Sequence, residues 1–146
     1  MKNKFISTLA VVFFVTINFS RTEARLNVEQ MKEFGKAIAK SCASKTALSK
    51  ELQEAHRNGE FPEDEALKCY LGCYCKMSKI FDKDNNIDLS YVFKQLDAMV
   101  ELQYIDRMKN VFTTCKAQMT ATELCQLGYD YAKCYRNMDA GVYTFI

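Results

Sequence analysis

The chain has 146 residues, 49% of them hydrophobic, with 20 Lys and Arg against 18 Asp and Glu, one His, one Pro and seven Cys. That length suits a single domain with one core, and so apolar a composition excludes a disordered chain. Setting aside Lys2, Lys4, Arg21 and Glu23 in the first 24 residues leaves 17 basic against 17 acidic side chains, a balance without the electrostatic footprint of a nucleic-acid or anionic-membrane binder.

Residues 1–24 read as a secretory signal. Lys2 and Lys4 give a basic start, Leu9 to Ile17 is an almost unbroken apolar run, and Thr22-Glu23-Ala24 supplies small residues for cleavage. The run falls short of the roughly 20 residues that span a bilayer, so no membrane insertion is expected. Export in turn makes an even set of cysteines in a small chain a disulfide framework.

From Asn27 onward the pattern is helical, and no stretch alternates strictly enough for a strand. Asn27 with Gln30 forms a capping box for a first helix whose stripe is Met31, Phe34, Ile38 and Cys42. A short second helix starts at Ser49, turns Leu52 and Ala55 inward, and ends at Asn58-Gly59, where the backbone can go left-handed. Pro62 followed by Glu63, Asp64 and Glu65 opens a third, with Ala66, Cys69, Cys73, Met77 and Ile80 on one face. The polar run Asp82 to Asn86 breaks it, and Asp88 caps a fourth through Leu89, Phe93, Leu96 and Met99. A fifth follows after a kink through Leu102, Ile105, Met108, Phe112 and Cys115. Thr120 and Glu123 make a capping box for a sixth, with Leu124, Leu127, Tyr131, Cys134 and Met138 inward. The predicted architecture is all-α, a compact bundle of about six helices over residues 25–146. Its last stretch, 139–146, is too apolar for a tail in water.

Cys69 and Cys73 lie one turn apart on one helical face, so they tie that helix to two other segments more readily than to each other. With Cys42, Cys115, Cys125 and Cys134 they make six half-cystines, separated by 26, 3, 41, 9 and 8 residues. Spacing alone leaves fifteen pairings open. Cys75 is the seventh and points about 200° around the helix from Cys73. It reads as a buried free thiol, with an intermolecular bridge or a pocket-lining thiol as alternatives.

This spacing, over the whole mature chain, resembles the insect odorant-binding proteins of the pheromone-binding and general odorant-binding family, in which the three-residue and eight-residue gaps are the tightest features. The resemblance implies the pairing Cys42–Cys73, Cys69–Cys125 and Cys115–Cys134. Loops of 30, 55 and 18 residues would then be closed, each bridge contributing roughly 3 to 4.5 kcal/mol by chain entropy. It also implies a helical cage around an apolar cavity that carries odorants, pheromones or fatty-acid derivatives through a fluid such as sensillum lymph to a chemosensory receptor. The carrier would be a monomer or weak homodimer. Leu89, Phe93, Met99, Met108, Phe112, Leu127, Tyr131, Tyr143 and Phe145 are the candidate ligand-binding residues, because aromatic and thioether surfaces adapt to a flexible guest. Each also fits plain core. Tyr143 and Phe145 lie beyond the last bridge, where the resemblance implies a segment folded over or into the cavity.

No cofactor, metal or catalytic group is expected. Asp82, Asp84 and Asn86 mimic a calcium loop, but Ile87 stands where glycine is needed and Phe93 where a bidentate glutamate belongs. His56, in the polar run Glu54-Ala-His-Arg-Asn-Gly59, is a poor nucleophile or base and cannot form a histidine cluster for pH sensing. An acid-triggered release would have to use carboxylates, such as the terminal one on Ile146. The other readings are the same fold serving as a carrier or scavenger in saliva, venom, gut or reproductive fluid, and a saposin-like lipid-interacting protein, although neither end carries the paired cysteines of that class.

Overall fold

The computed structural model describes residues 25–144, so the signal reading for 1–24 and the readings for Phe145 and Ile146 lie outside the described residues. Six α-helices follow in order: α1 Val28–Lys45, α2 Lys50–Arg57, α3 Glu65–Met77, α4 Leu89–Met99, α5 Leu102–Gln118 and α6 Leu124–Met138. A 3-10 turn, Ala140–Val142, closes the chain. Among the described residues the only β pairing is the isolated bridge between Leu26 and Val100.

Local chemistry sets most helix ends. Asn27 and Gln30 exchange both hydrogen bonds of a capping box, and the Asp88 side chain accepts from Tyr91 N. After α2, Gly59 takes φ 90°, a conformation that costs glycine nothing. Two starts differ from the sequence reading. Asp64 caps α3 by accepting from Ala66 N and Leu67 N, which leaves Pro62 before the helix rather than in its first turn. Thr120 does not cap α6, which begins at Leu124 after Glu123 with no side-chain cap. The intervening residues carry the chain from the end of α5 to the flank of α3 that holds Cys69. The junction of α4 and α5 is also more than a kink: Val100 is extended, and Leu26 N donates to Met99 O while Glu101 N donates to Leu26 O.

α3 is the axis. The structure joins Cys42 to Cys73 and Cys69 to Cys125, so adjacent turns of α3 reach α1 and α6, while Cys115 joins Cys134 to hold α5 on α6. α3 packs most closely on α6. A Cβ on Gly128 would lie 2.7 Å from the carbonyl carbon of Leu71 and closer still to Gly72, and one on Gly72 would lie 2.5 Å from Leu124 O. The two backbones meet because neither crossing residue has a side chain. The buried side of α3 is Leu67, Tyr70, Leu71, Tyr74 and Cys75, not the face through Ala66, Cys69, Cys73 and Met77. A helix apolar nearly all round shows no clear phase in its sequence, and the bridged cysteines sit on its flanks.

Other inward faces also differ. Val92 and Leu96 bury α4 while Met99 is exposed. Phe34 on α1, Leu102 on α5 and Met138 on α6 are exposed as well. The core is aromatic: Tyr131 meets Phe81 at 5.7 Å and Tyr135 at 6.1 Å between ring centroids, and Tyr135 meets Phe112 at 5.6 Å and Tyr143 at 5.7 Å. These edge-to-face contacts are a favoured geometry for such pairs.

Candidate functional site

α1 and α3 pack on each other, but α4 does not close on that pair. Between them lies a cavity of about 330 Å³, near the lower end of the roughly 300–1,000 Å³ of small-molecule sites. Met31 and Ile38 face it from α1, Tyr74 and Met77 from α3, and Val92, Leu96 and Met99 from α4, with Phe112 of α5 and Thr144 of the tail at its inner side. Four of the large hydrophobic side chains left exposed by the fold, Phe34, Met77, Tyr91 and Met99, ring its mouth. An apolar patch of this kind, continuous with an apolar hollow, marks a binding surface.

Tyr74 gives the cavity a polar handle. It is seated against Gly35, where any Cβ would collide with the phenol oxygen, and its hydroxyl donates to Thr144 O at 3.3 Å. Burial pushes its pKa up to about 12, so it stays a neutral donor at physiological pH. The tail is part of the wall. Val142 and Tyr143 are buried, Tyr135 Oη donates to Val142 O at 3.0 Å, and Arg107 clasps Asp139 at the start of the tail through bonds of 2.8 and 2.7 Å.

Of the residues singled out from the sequence, Met99 and Phe112 line this cavity. Phe93 lies outside it, half-buried, with Lys109 Nζ 5.4 Å from its ring centroid, and Leu89 is half-buried beside it in sequence terms, also outside the lining. Met108, Tyr131 and Tyr143 are buried in the core, and Leu127 lines a separate hollow of about 250 Å³ with Met119 and Ala121. Met31 and Ile38 were visible as a stripe but not as lining. Tyr74 had no sequence signal, because its role depends on Gly35 across the α1–α3 contact.

His56 differs from its sequence setting. It is 2% exposed, four residues after Leu52 on the inward side of α2, while Glu54 and Arg57 face water. Its Nε2 lies 3.2 Å from Tyr143 Oη. Burial first, then the charges of Arg136 and Arg57, lower its pKa to about 4, so the ring is neutral at pH 7. Cys75 is a free, fully buried thiol, and burial raises its pKa well above the usual range.

Two clusters have metal-like composition. Glu65 lies near Cys69 and Cys125, but those sulfurs are bonded to each other and are not thiolate ligands. In the loop after α3, Asp82 accepts from Asp84 N and Asn86 N, and Lys76 Nζ donates to Lys83 O at 2.8 Å and to Asn85 Oδ1 at 2.5 Å. An ammonium group therefore occupies the inside of that turn. No helix among the described residues is long and apolar enough to cross a membrane.

Residues 24–138 match the PBP/GOBP family. Over 97 residues the chain is 30% identical to General odorant-binding protein 19a of Drosophila melanogaster, covering 66% of each protein and so just under two thirds of that relative's length. General odorant-binding protein 99b of the same organism is 24% identical over 98 residues, again 66% of each. Among solved structures, Apis mellifera odorant binding protein 5 superposes with a TM-score of 0.69 at 28% identity, covering 82% of this chain and 97% of that one. Odorant Binding Protein 4 of Chrysopa pallens gives 0.72 at 26% identity, covering 83% and 99%.

Proposed function

Because the chain belongs to the PBP/GOBP family, we propose that it is a secreted carrier which takes one small hydrophobic molecule into the α1–α3–α4 cavity and moves it through an aqueous fluid. Odorants, pheromones and fatty-acid-like molecules are the ligand class, and a chemosensory receptor is the destination. Residues 1–24 act as the export signal, and the mature protein works as a monomer or weak homodimer. The observation that carries this reading is the 330 Å³ apolar cavity with an exposed aromatic and methionine rim.

The energetics fit a carrier. Burying about ten methylenes at about 0.8 kcal/mol each gives roughly 8 kcal/mol of gross driving force, and immobilisation reduces it. Micromolar affinity at best is the result, tight enough to dissolve a guest and weak enough to release it. With its proton donated to Thr144 O, the Tyr74 hydroxyl oxygen accepts from an alcohol O–H at the inner end, and an ester or aldehyde oxygen takes that proton only by displacing Thr144 O. The polar groups around the cavity, phenols, Ser78, Lys79, Gln95 and Thr144, suit a carrier, while the sole histidine faces a separate cleft.

The test is displacement of a fluorescent probe by long-chain alcohols and esters. Ile38→Trp, which fills the cavity from α1, lowers the affinity at least tenfold, whereas Phe93→Ala, outside it, leaves binding unchanged. Equal binding in the wild type and Ile38→Trp would overturn the assignment of this cavity.

A further inference from the structure

On the opposite side of the α1–α3 contact lies a second hollow, a polar cleft of about 310 Å³ between α1 and α2. Its floor is the short side chains of Ala39 and Ala43, and its rim carries Lys36, Lys40 and Arg57. Among the described residues no carboxylate lines it. Lys36 shares its charge with Glu33, but Lys40 and Arg57 have no carboxylate partner within ion-pair distance among the described residues. Like charges around one cleft favour an anion within it.

The second observation is His56, which lines the same cleft from beneath the rim. It is 98% buried by its 2% exposure, yet its Nδ1 has no hydrogen-bond partner. A buried polar atom left unsatisfied costs about 1–3 kcal/mol, so native proteins usually provide a partner for it. The other nitrogen, Nε2, is engaged by Tyr143 Oη. When the phenol donates to Nε2, the imidazole proton resides on Nδ1, and the ring then offers an N–H that needs an acceptor. Three cations and one buried donor around a floor of methyl groups match an oxyanion attached to a short apolar stub.

We propose that the α1–α2 cleft is a second ligand site, separate from the apolar cavity, which binds a small carboxylate through His56 Nδ1–H with Lys40 and Arg57 as its counter-charges. This inference goes beyond the carrier reading and does not depend on it. The short-chain anion and the long apolar guest occupy different walls of α1, so failure at one site leaves the other untouched.

His56 is the only histidine in the chain, so its imidazole gives a single, self-assigned set of signals in a long-range proton–nitrogen correlation spectrum. The protein is titrated at pH 7 and constant ionic strength with butyrate, and in a second arm with inorganic phosphate. The expected result is a saturable shift of the His56 signals by butyrate, with the nitrogen pattern of an Nδ1–H tautomer at saturation. Lys40→Gln/Arg57→Gln weakens that binding at least fivefold. Both side chains are exposed, and an unchanged circular dichroism spectrum verifies the fold. Saturation by both ions supports a general oxyanion site of the same construction, and saturation by phosphate alone overturns the carboxylate assignment. A shift that grows linearly with either ion, or saturation unaffected by the double variant, overturns the site altogether.

Discussion

Replacing Gly128 by alanine tests the contact on which the architecture turns. The added Cβ would lie 2.7 Å from the Leu71 carbonyl carbon and nearer to the backbone of Gly72, whereas carbon atoms pack at about 3.5–4.0 Å. No flexible side chain can yield, since the atoms it meets are helix backbone. α3 and α6 must therefore separate by about 1 Å, against a bridge one turn away that holds Cys69 and Cys125 at a Cα–Cα distance of 4.0 Å. Overpacking of this kind costs about 3 kcal/mol, and the better helix propensity of alanine returns about 1 kcal/mol. The net loss is about 2 kcal/mol, a fall in Tm of roughly 6–10 °C for a domain of this size. Thermal unfolding by circular dichroism with the disulfides intact measures it. Gly72→Ala acts on the same seam, so the double variant loses less than the sum of the two. An unchanged or raised Tm in Gly128→Ala would mean that propensity alone operates there and that α3 and α6 do not touch backbone to backbone.

Two other outcomes follow from buried titratable groups. Because the folded pKa of His56, about 4, lies below its ordinary 6.5, the unfolded chain binds the extra proton. Stability is then complete above pH 6.5 and declines as pH falls toward 4, by roughly 3 kcal/mol in all; urea unfolding between pH 7 and 5 shows the slope in the wild type and its absence in His56→Gln. Cys75 is inaccessible and its thiol is held protonated, so a thiol-exchange reagent leaves the native protein unlabelled and takes up one equivalent per chain after denaturation without reductant. Rapid labelling of the native protein would contradict that burial.

The caps at Asn27 and Asp88 were legible because they depend on residues three positions apart. Thr120 and Glu123 have the same spacing, yet the chain there runs to Cys69 before coiling. A long-range covalent demand outweighed a local preference. His56 misled for a related reason: its neighbours in sequence are polar, but its neighbours in space are Phe61, Tyr70 and Tyr143.

By itself the sequence determined what is local or countable: helices throughout, six half-cystines in a recurring spacing, a family, and a chain apolar enough for one core. The tertiary structure decided everything that depends on which faces meet. It set the phase of α3, whose apolar residues point almost all round, and it selected which methionines and aromatics line a hollow instead of filling the core. It also brought glycines 56 positions apart into backbone contact. A side chain of one type satisfies the same helical period in core, rim or cavity, so only the placement of the opposing helix distinguishes them.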